Sequence, residues 1–413
     1  MGKEATLAAI DVGTTKVCAL VGHTDGSEEL EVLGVGVVPA EGLRKGIVVN
    51  IEETTRSIRA AVDRAERSSG TRIVSAVVGI AGGHITSVNN RGIIAIPRGE
   101  RIVSEDDVVR VLESARTVSV SDNREVLHVI PRCYSLDGQE GVTNPVGMHG
   151  FRLDAETHIV TGATTSIQNL VKCIQTVGIE IDDLVAAPLA SSEAVLTREE
   201  REIGVVLVDI GGGTTDIAVF IEGSVLHTSV LPVGGYQLTN DIAIGLRTPF
   251  ATAEAIKIKH GHAMPSKIDP EETVEIECFG AEERRNMPRR ELCDIIRARM
   301  EETFEMILME IKRSGYDGML PAGLVLTGGS ANLRGIEALA SDVLKMPARV
   351  GMPKGIHGLV DTVSNPAYAT STGLLLWAIK YGEVEGSPRR NGAHVSGALK
   401  RITLWFRDLL PLA

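Results

Sequence analysis

Two short stretches share a grammar of acid, glycine and hydroxyl. In LVDIGGGTTDIAVF, positions 207–220, Asp209 closes one apolar run and Gly211, Gly212 and Gly213 make a turn nearly free of side chains. Thr214, Thr215 and Asp216 then open a second run. Near the N-terminus, LAAIDVGTTKVCALVG sets Asp11, Gly13, Thr14, Thr15 and Lys16 in the same order. Glycines permit φ > 0 and leave backbone N–H groups open to a close neighbour. Consecutive free N–H groups form an anion-binding concavity, to which threonine hydroxyls add donors. A carboxylate ending a buried strand suits a hydrated Mg2+, which takes one or two carboxylates and keeps several waters. Two such turns face to face would clamp a polyphosphate such as the tail of a nucleotide. For either stretch alone, an ordinary glycine-rich hairpin is the plain alternative.

The elements that must position these residues are legible on either side of them. GVVLVDI and TTDIAVFI are β-branched and apolar, so they read as two strands joined by the glycines. The N-terminal copy continues into a third strand (LEVLGVGVV), a helix (IEETTRSIRAAVDRAERSSG) and a fourth strand (IVSAVVGI); the second continues into SVLHTSVLPVGG and a helix, YQLTNDIAIGL. Self-similarity half a chain apart implies duplicated domains. A third glycine turn ends the buried strand AGLVLTGG, where a flat ring could approach the backbone. A plain strand-to-helix turn is the alternative there.

Composition narrows the class. A chain of 413 residues suggests two or more domains. A net charge of -12 argues against a general nucleic-acid binder. Cysteines at 18, 133, 173, 278 and 293 are scattered without a C-x-x-C pair, as expected in a reducing cytosol with no zinc site. No apolar run reaches about 18 residues and the sequence opens on a charged turn and a core strand, so neither a signal peptide nor a spanning helix is expected.

DVGTTK with DIGGGTTD and LVLTGGSANLRGI is similar to the ATP-binding signature of the actin, heat-shock chaperone and sugar-kinase superfamily. That resemblance implies ATP with Mg2+, the metal held through water by Asp11 and Asp209. The two hairpins and Lys16 would take the phosphates, and Gly328, Gly329 and Ser330 would lie against the adenosine. It also gives Gly234 and Gly235 to the nucleotide, and Glu254 and Lys257 of ATAEAIKIKHG to the ribose and base. A solvated helix face is the alternative for that last pair.

The inserted material is more specific. Ser104 and Asp107 mark a capped helix start within the block after the fourth strand. HVIPRCYSLDGQEGVTNPVGMHG and RLDAETHIVTG in the same block resemble the inserted subdomain of the FtsA family of bacterial cell-division actin homologues, and the resemblance to that family extends over almost the whole chain, through IGVVLVDIGGGTTDIAVF and EAIKIKHGHA. The implied fold is α/β: duplicated ribonuclease-H-type domains around a nucleotide cleft, with an inserted α+β subdomain and a C-terminal amphipathic helix. On that reading 1–83 with 164–201 form the first nucleotide subdomain, 84–163 the insert, and 202–235 with 320–381 the second nucleotide subdomain. Residues 236–319 form an adenosine-side and partner-binding subdomain, 382–394 a linker and 395–413 a membrane-targeting helix.

Within 236–319, Leu292, Ile295, Ile296, Thr303, Phe304, Ile307, Leu308 and Ile311 mark a buried helical stripe, with Pro288 in the first turn. Arg297, Arg299, Glu301 and Glu302 fall outside it, as a solvated charged face would. The resemblance makes Arg299 and Glu302 candidates for contact with the C-terminal tail of FtsZ, the tubulin-like ring protein.

The tail argues for itself. YGEVEGSPRRNGAH reads as a linker, and beyond it Val395, Ala398, Leu399, Ile402, Trp405, Phe406, Leu409 and Leu410 fall on a helical arc of roughly 140°. Lys400, Arg401, Thr403, Arg407 and Asp408 lie on the other side with Leu404. A basic amphipathic helix bearing a large aromatic suits an anionic bilayer surface; docking on the protein's own core or on a partner is the alternative.

One departure bears on mechanism. In hydrolysing bacterial actins a carboxylate precedes a proline in the helix linking the halves, whereas LVAAPLASSEAVL has Ala187 before Pro188, and Glu193 lies nearly two turns on. Slow ATP turnover is the expectation. The favoured reading is a polymerising ATP-dependent scaffold that ties the FtsZ ring to the cytoplasmic face of the inner membrane at the division site, and helps recruit later divisome proteins. A kinase or phosphatase of the fold would need an acid over a substrate hydroxyl, and none is evident. A pilus-assembly protein of the PilM type lacks a reason for the lipid-seeking tail.

Overall fold

The computed structural model describes residues 5–26, 29–97, 99, 101–117, 121–280 and 284–381. The linker and amphipathic helix expected at 382–413 lie outside the described residues.

Two sheets repeat one topology. In the first, strands Leu30–Pro39, Lys16–Thr24, Ala5–Val12, Ser75–Ile80 and Glu180–Ala186 lie side by side in that order. In the second, Ser224–Leu231, Thr215–Ile221, Val205–Ile210, Leu324–Thr327 and Ala348–Val350 do the same. Each begins as an antiparallel three-strand meander and continues with two parallel strands. The central strands read as unbroken apolar runs because both their faces are covered. A short strand from late in the chain, Ile356–Gly358, pairs with Leu30–Pro39 and stitches the chain's second half to the first sheet.

Helix Ile51–Ser69 covers the first sheet, and its ends follow the capping rules. Asn50 accepts from the N–H groups of Glu52 and Glu53, and Gly70 closes the other end at φ 69°. Two helices join the halves: Ala187–Val195, which leaves the first sheet for the second, and Ala369–Tyr381, which returns and packs on Ala5–Val12.

Between the strands Ser75–Ile80 and Glu180–Ala186 the chain makes a four-stranded antiparallel sheet, ordered Thr86–Ala95, Arg152–Ala163, Arg124–Leu136 and Gln139–Val142. Helix Glu105–Arg116 packs on it through Val108, Val111 and Leu112, against Tyr134, Leu136 and Leu153. Ser104 and Asp107 complete the capping box that their spacing predicts. The insert is fastened to the second half. Ser87 Oγ donates to Thr228 O at 2.8 Å, Asn89 Nδ2 donates to Leu226 O at 2.9 Å, and His158 bridges Asn89 Oδ1 (2.7 Å) and Thr228 Oγ1 (3.1 Å). Burial, with the charges of His227, Arg132 and His128, pushes the His158 imidazole down to about 3, so it is neutral.

The long helix Arg289–Ser314 buries the expected stripe, with Ile295 and Leu308 only half-buried and Cys293 and Met300 joining it. Pro288 is not in the first turn. It ends the preceding strand, paired with Thr273, and serves as the residue before the helix.

Candidate functional site

The two glycine turns meet. Each is closed by the same bond, Gly13 N to Lys16 O at 3.0 Å and Gly211 N to Thr214 O at 2.9 Å. A Cβ on Gly212 would lie 2.2 Å from Thr15 Cγ2, and one on Gly213 would lie 2.6 Å from Thr14 Oγ1. Glycine is therefore required here by contact between the halves and not by a left-handed backbone, which neither residue adopts. Thr14 Oγ1 accepts from Gly46 N (2.9 Å), and Thr215 Oγ1 donates to Val233 O (2.9 Å).

Helix Gly235–Leu246 starts against the second turn: Gly235 N donates to Gly211 O (2.9 Å) and Tyr236 N to Gly212 O (2.7 Å). Gly234 has no room for a side chain because Gly211 and Gly212 lie beneath it. Ser330 Oγ reaches Gly211 O at 3.4 Å, and Gly328, at φ 84°, donates its N–H to Pro366 O. Lys257 Nζ pairs with Glu254 Oε2 at 2.7 Å and donates to Thr239 Oγ1 and Gly235 O, so this pair joins the same cluster. The structure thus brings both hairpins, the Gly234 turn, Ser330, Glu254 and Lys257 around one place.

Three carboxylates are buried there. Asp209 and Asp216 are partners across the second hairpin, and Asp11 occupies the corresponding strand end of the first. Burial pushes Asp11 up to about 6 against the pull of Lys16. Burial, with Asp209 and Asp11 beside it, pushes Asp216 up to about 8. Asp209 is also raised by burial, opposed by hydrogen bonds from Ser191 and Thr370. Asp216 Oδ1 is buried with no partner. Lys16, the cation whose charge acts on Asp11 and Asp209, gives its ammonium to Ala367 O and stands 3.6 Å from the centre of the Tyr368 ring. Such a site is short of positive charge, and the donor set is the oxygen-rich kind that Mg2+ prefers. Among the described residues, no group of three or more His, Cys, Asp or Glu could hold a metal directly. The residues therefore fit a hydrated ion, held through its waters.

Glu193 is turned to a different task. Its carboxylate pairs with Arg201 at 2.8 Å and Lys380 at 3.6 Å. Ala187 begins the same helix, buried and without a polar group to offer. Arg299 and Glu302 do lie together, 2.5 Å apart, and Arg299 also pairs with Asp241. The basic and apolar tail residues, Leu399 to Leu409, lie outside the described residues.

The site's architecture has known counterparts. A family profile described as "Cell division protein FtsA" matches residues 206–373, and one described as "SHS2 domain inserted in FTSA" matches 82–161. The cell division protein FtsA of Pseudomonas aeruginosa is 44% identical over 407 residues, 97% of each chain. That of Neisseria meningitidis is 40% identical, covering 98% of this chain and 99% of the relative. The chain belongs to the FtsA family. FtsA proteins are cell-division proteins, and the identity outweighs the pilus-protein and kinase alternatives. Among solved structures, a PilM–PilN type IV pilus biogenesis complex superposes with a TM-score of 0.64 at 15% identity, covering 90% of this chain and 98% of that one. MreB5 of Spiroplasma citri bound to ADP gives 0.55 at 14%, covering 90% and 95%. These establish that the chain has the actin-like fold.

Sequence reasoning missed three residues of the site, Ser191, Thr370 and Ser371, each bonded to one of the acids. Their one visible signal is a cluster of small hydroxyls in helices that are otherwise apolar, SS in APLASSEAV and TST in ATSTGLLLW.

Proposed function

We propose that this member of the FtsA family binds Mg-ATP between the two hairpins, polymerises, and ties the FtsZ ring to the cytoplasmic face of the inner membrane. The observation that carries the nucleotide reading is the meeting of two like glycine turns over three buried, undercompensated carboxylates. Asp11 and Asp209 would hold the hydrated ion through water. Gly211 to Thr215 and Gly13 to Lys16 would offer N–H groups and hydroxyls to the phosphates, with Lys16 exchanging the Ala367 carbonyl for a phosphate oxygen. Bound Mg2+ supplies neutralisation of triphosphate charge. Gly328, Gly329, Ser330, Glu254 and Lys257 would face the adenosine. Ala187 offers no group to orient a water, so turnover is slow.

Arg299 and Glu302 would receive the FtsZ tail, Arg299 leaving Asp241 or Glu302 to do so, and residues 395–410 would lie on anionic lipid. Insert-borne contacts would recruit later division proteins. The family membership supports the division role; among neighbours of the same fold, ADP-bound MreB5 supports nucleotide binding and the MamK double helical filament supports polymerisation.

Titration with a fluorescent ATP analogue tests the site. Losing one charged hydrogen-bond acceptor of this kind is worth about 1.5–3 kcal/mol, so Asp209→Ala weakens binding about tenfold or more. Unchanged affinity in both Asp11→Ala and Asp209→Ala overturns it. Pull-down with an FtsZ tail peptide against a pilus-protein peptide checks the partner.

A further inference from the structure

The two helices that join the halves cross at close quarters: a Cβ on Gly373 would lie 1.8 Å from Ala190 O. Each carries its hydroxyls at this crossing, and they are aimed at the acids. Ser191 Oγ donates to Asp209 Oδ2 at 2.6 Å, and Thr370 Oγ1 donates to the same oxygen at 3.0 Å. Ser371 Oγ donates to Asp11 Oδ2 at 3.1 Å. Ser191 and Thr370 also touch each other, 2.9 Å apart, so each limits the other's rotation. Ser191 and Ser371 are fully buried. A buried hydroxyl costs free energy unless it is bonded, so each has a strong reason to keep its acid. Among the described residues no donor is bonded to Oδ1 of either acid.

We propose that Ser191, Thr370 and Ser371 are positioning residues that pin one oxygen of Asp209 and one of Asp11, and so fix how each remaining oxygen meets the waters of the metal. This rests on the reading that Mg-ATP binds between the hairpins. Outer-shell partners of this kind hold a carboxylate in the one rotamer that serves the metal, and their loss lowers affinity about 10–100-fold in other metal sites. Because the hydroxyls stand on both linking helices, the pinned geometry of Asp209 exists only when those helices are in register.

The test uses the full chain and a fluorescent ATP analogue, titrated with Mg2+ and again with EDTA. In Ser191→Ala/Thr370→Val the advantage conferred by Mg2+ falls about tenfold, while affinity in EDTA stays within about twofold of the unmodified protein. Ser371→Ala loses part of it, and Thr370→Ser, which keeps the hydroxyl, loses none. Variants that are folded and show an unchanged Mg2+ advantage overturn the proposal, as does an equal loss in Mg2+ and EDTA, the mark of a merely structural role. Should the double variant not fold, the single pair Thr370→Val and Thr370→Ser decides by the same ratio. If the unmodified protein binds the analogue no better with Mg2+, the Mg-ATP reading itself falls, and that result is distinct from the other two.

Discussion

Replacing Glu193 with glutamine removes one charge from a nearly closed cluster. Glu193 and Arg201 are both largely buried, with side chains 12% and 14% exposed, whereas Lys380 is 39% exposed. Arg201 also donates to Ser192 O at 2.7 Å, so it cannot swing out to water without losing that bond. Removing one partner of a buried pair costs about 3–5 kcal/mol when the survivor is stranded. Glutamine keeps an acceptor for Arg201, and the exposed Lys380 contact adds little, so about 2–3 kcal/mol is expected. At about 1.2 °C per kcal/mol for a chain of 413 residues, Tm falls by about 2–4 °C. Burial alone would raise the Glu193 pKa, but Arg201 and then Lys380 hold it below the ordinary value. A depressed folded-state pKa gives stability that is present above the unfolded value, about 4.3, and lost as pH falls through the folded one. The gap between the two proteins is therefore constant from about pH 6 to 8 and narrows below about pH 4. Differential scanning fluorimetry across that range measures it. A Glu193→Gln protein as stable as its parent at neutral pH, or a gap that widens in acid, refutes the account. Phosphate release per bound ATP should not change; its abolition would show that Glu193 serves the nucleotide after all.

Two further outcomes follow from other parts of the molecule. Gly212→Ala puts a methyl 2.2 Å from Thr15 Cγ2, an overpacking of about 1–3 kcal/mol that parts the turns and weakens ATP-analogue binding; Thr15→Ser, which removes that methyl, restores part of the loss when combined with it, and no rescue refutes the contact. Trp405→Glu abolishes co-sedimentation with anionic vesicles while ATP binding persists, because it puts a charge on the apolar arc; continued co-sedimentation under conditions that prevent polymerisation shows that residues 395–410 are not the anchor.

The hairpins were legible because their signals are local: β-branched runs, glycines between them, an acid at the strand end. The repeat of that grammar also revealed the duplication, since both sheets build the same meander from it. What could not be read was anything that depends on the halves meeting. Ser191, Thr370 and Ser371 are 160 or more positions from at least one of the groups that explain them, and small hydroxyls in a helix are common for many reasons. Lys16 shows the limit from the other side. Its type and place suggested a phosphate ligand, yet its present partners, the Ala367 carbonyl and the Tyr368 ring, lie some 350 positions away, and no local pattern announces them. In the long helix the period identified the buried face but not its width, so Cys293 and Met300 were left out. Pro288 was misplaced by one position because a strand end and a first helical turn both accept a residue that lacks an N–H.

The insert leaves the chain from the first half, yet its bonds through Ser87, Asn89 and His158 run to Ser224–Leu231 of the second. In mechanical terms it is a diagonal strut across a frame whose other members are the two linking helices. Parting the halves shears the bonds to Leu226 and Thr228 together, or bends the short passages at 81–85 and 163–164 where the strut is rooted. The far end of the insert is thus joined, through these bonds and Ser224–Leu231, to Thr215–Ile221, the strand that leaves the Gly211–Gly213 turn.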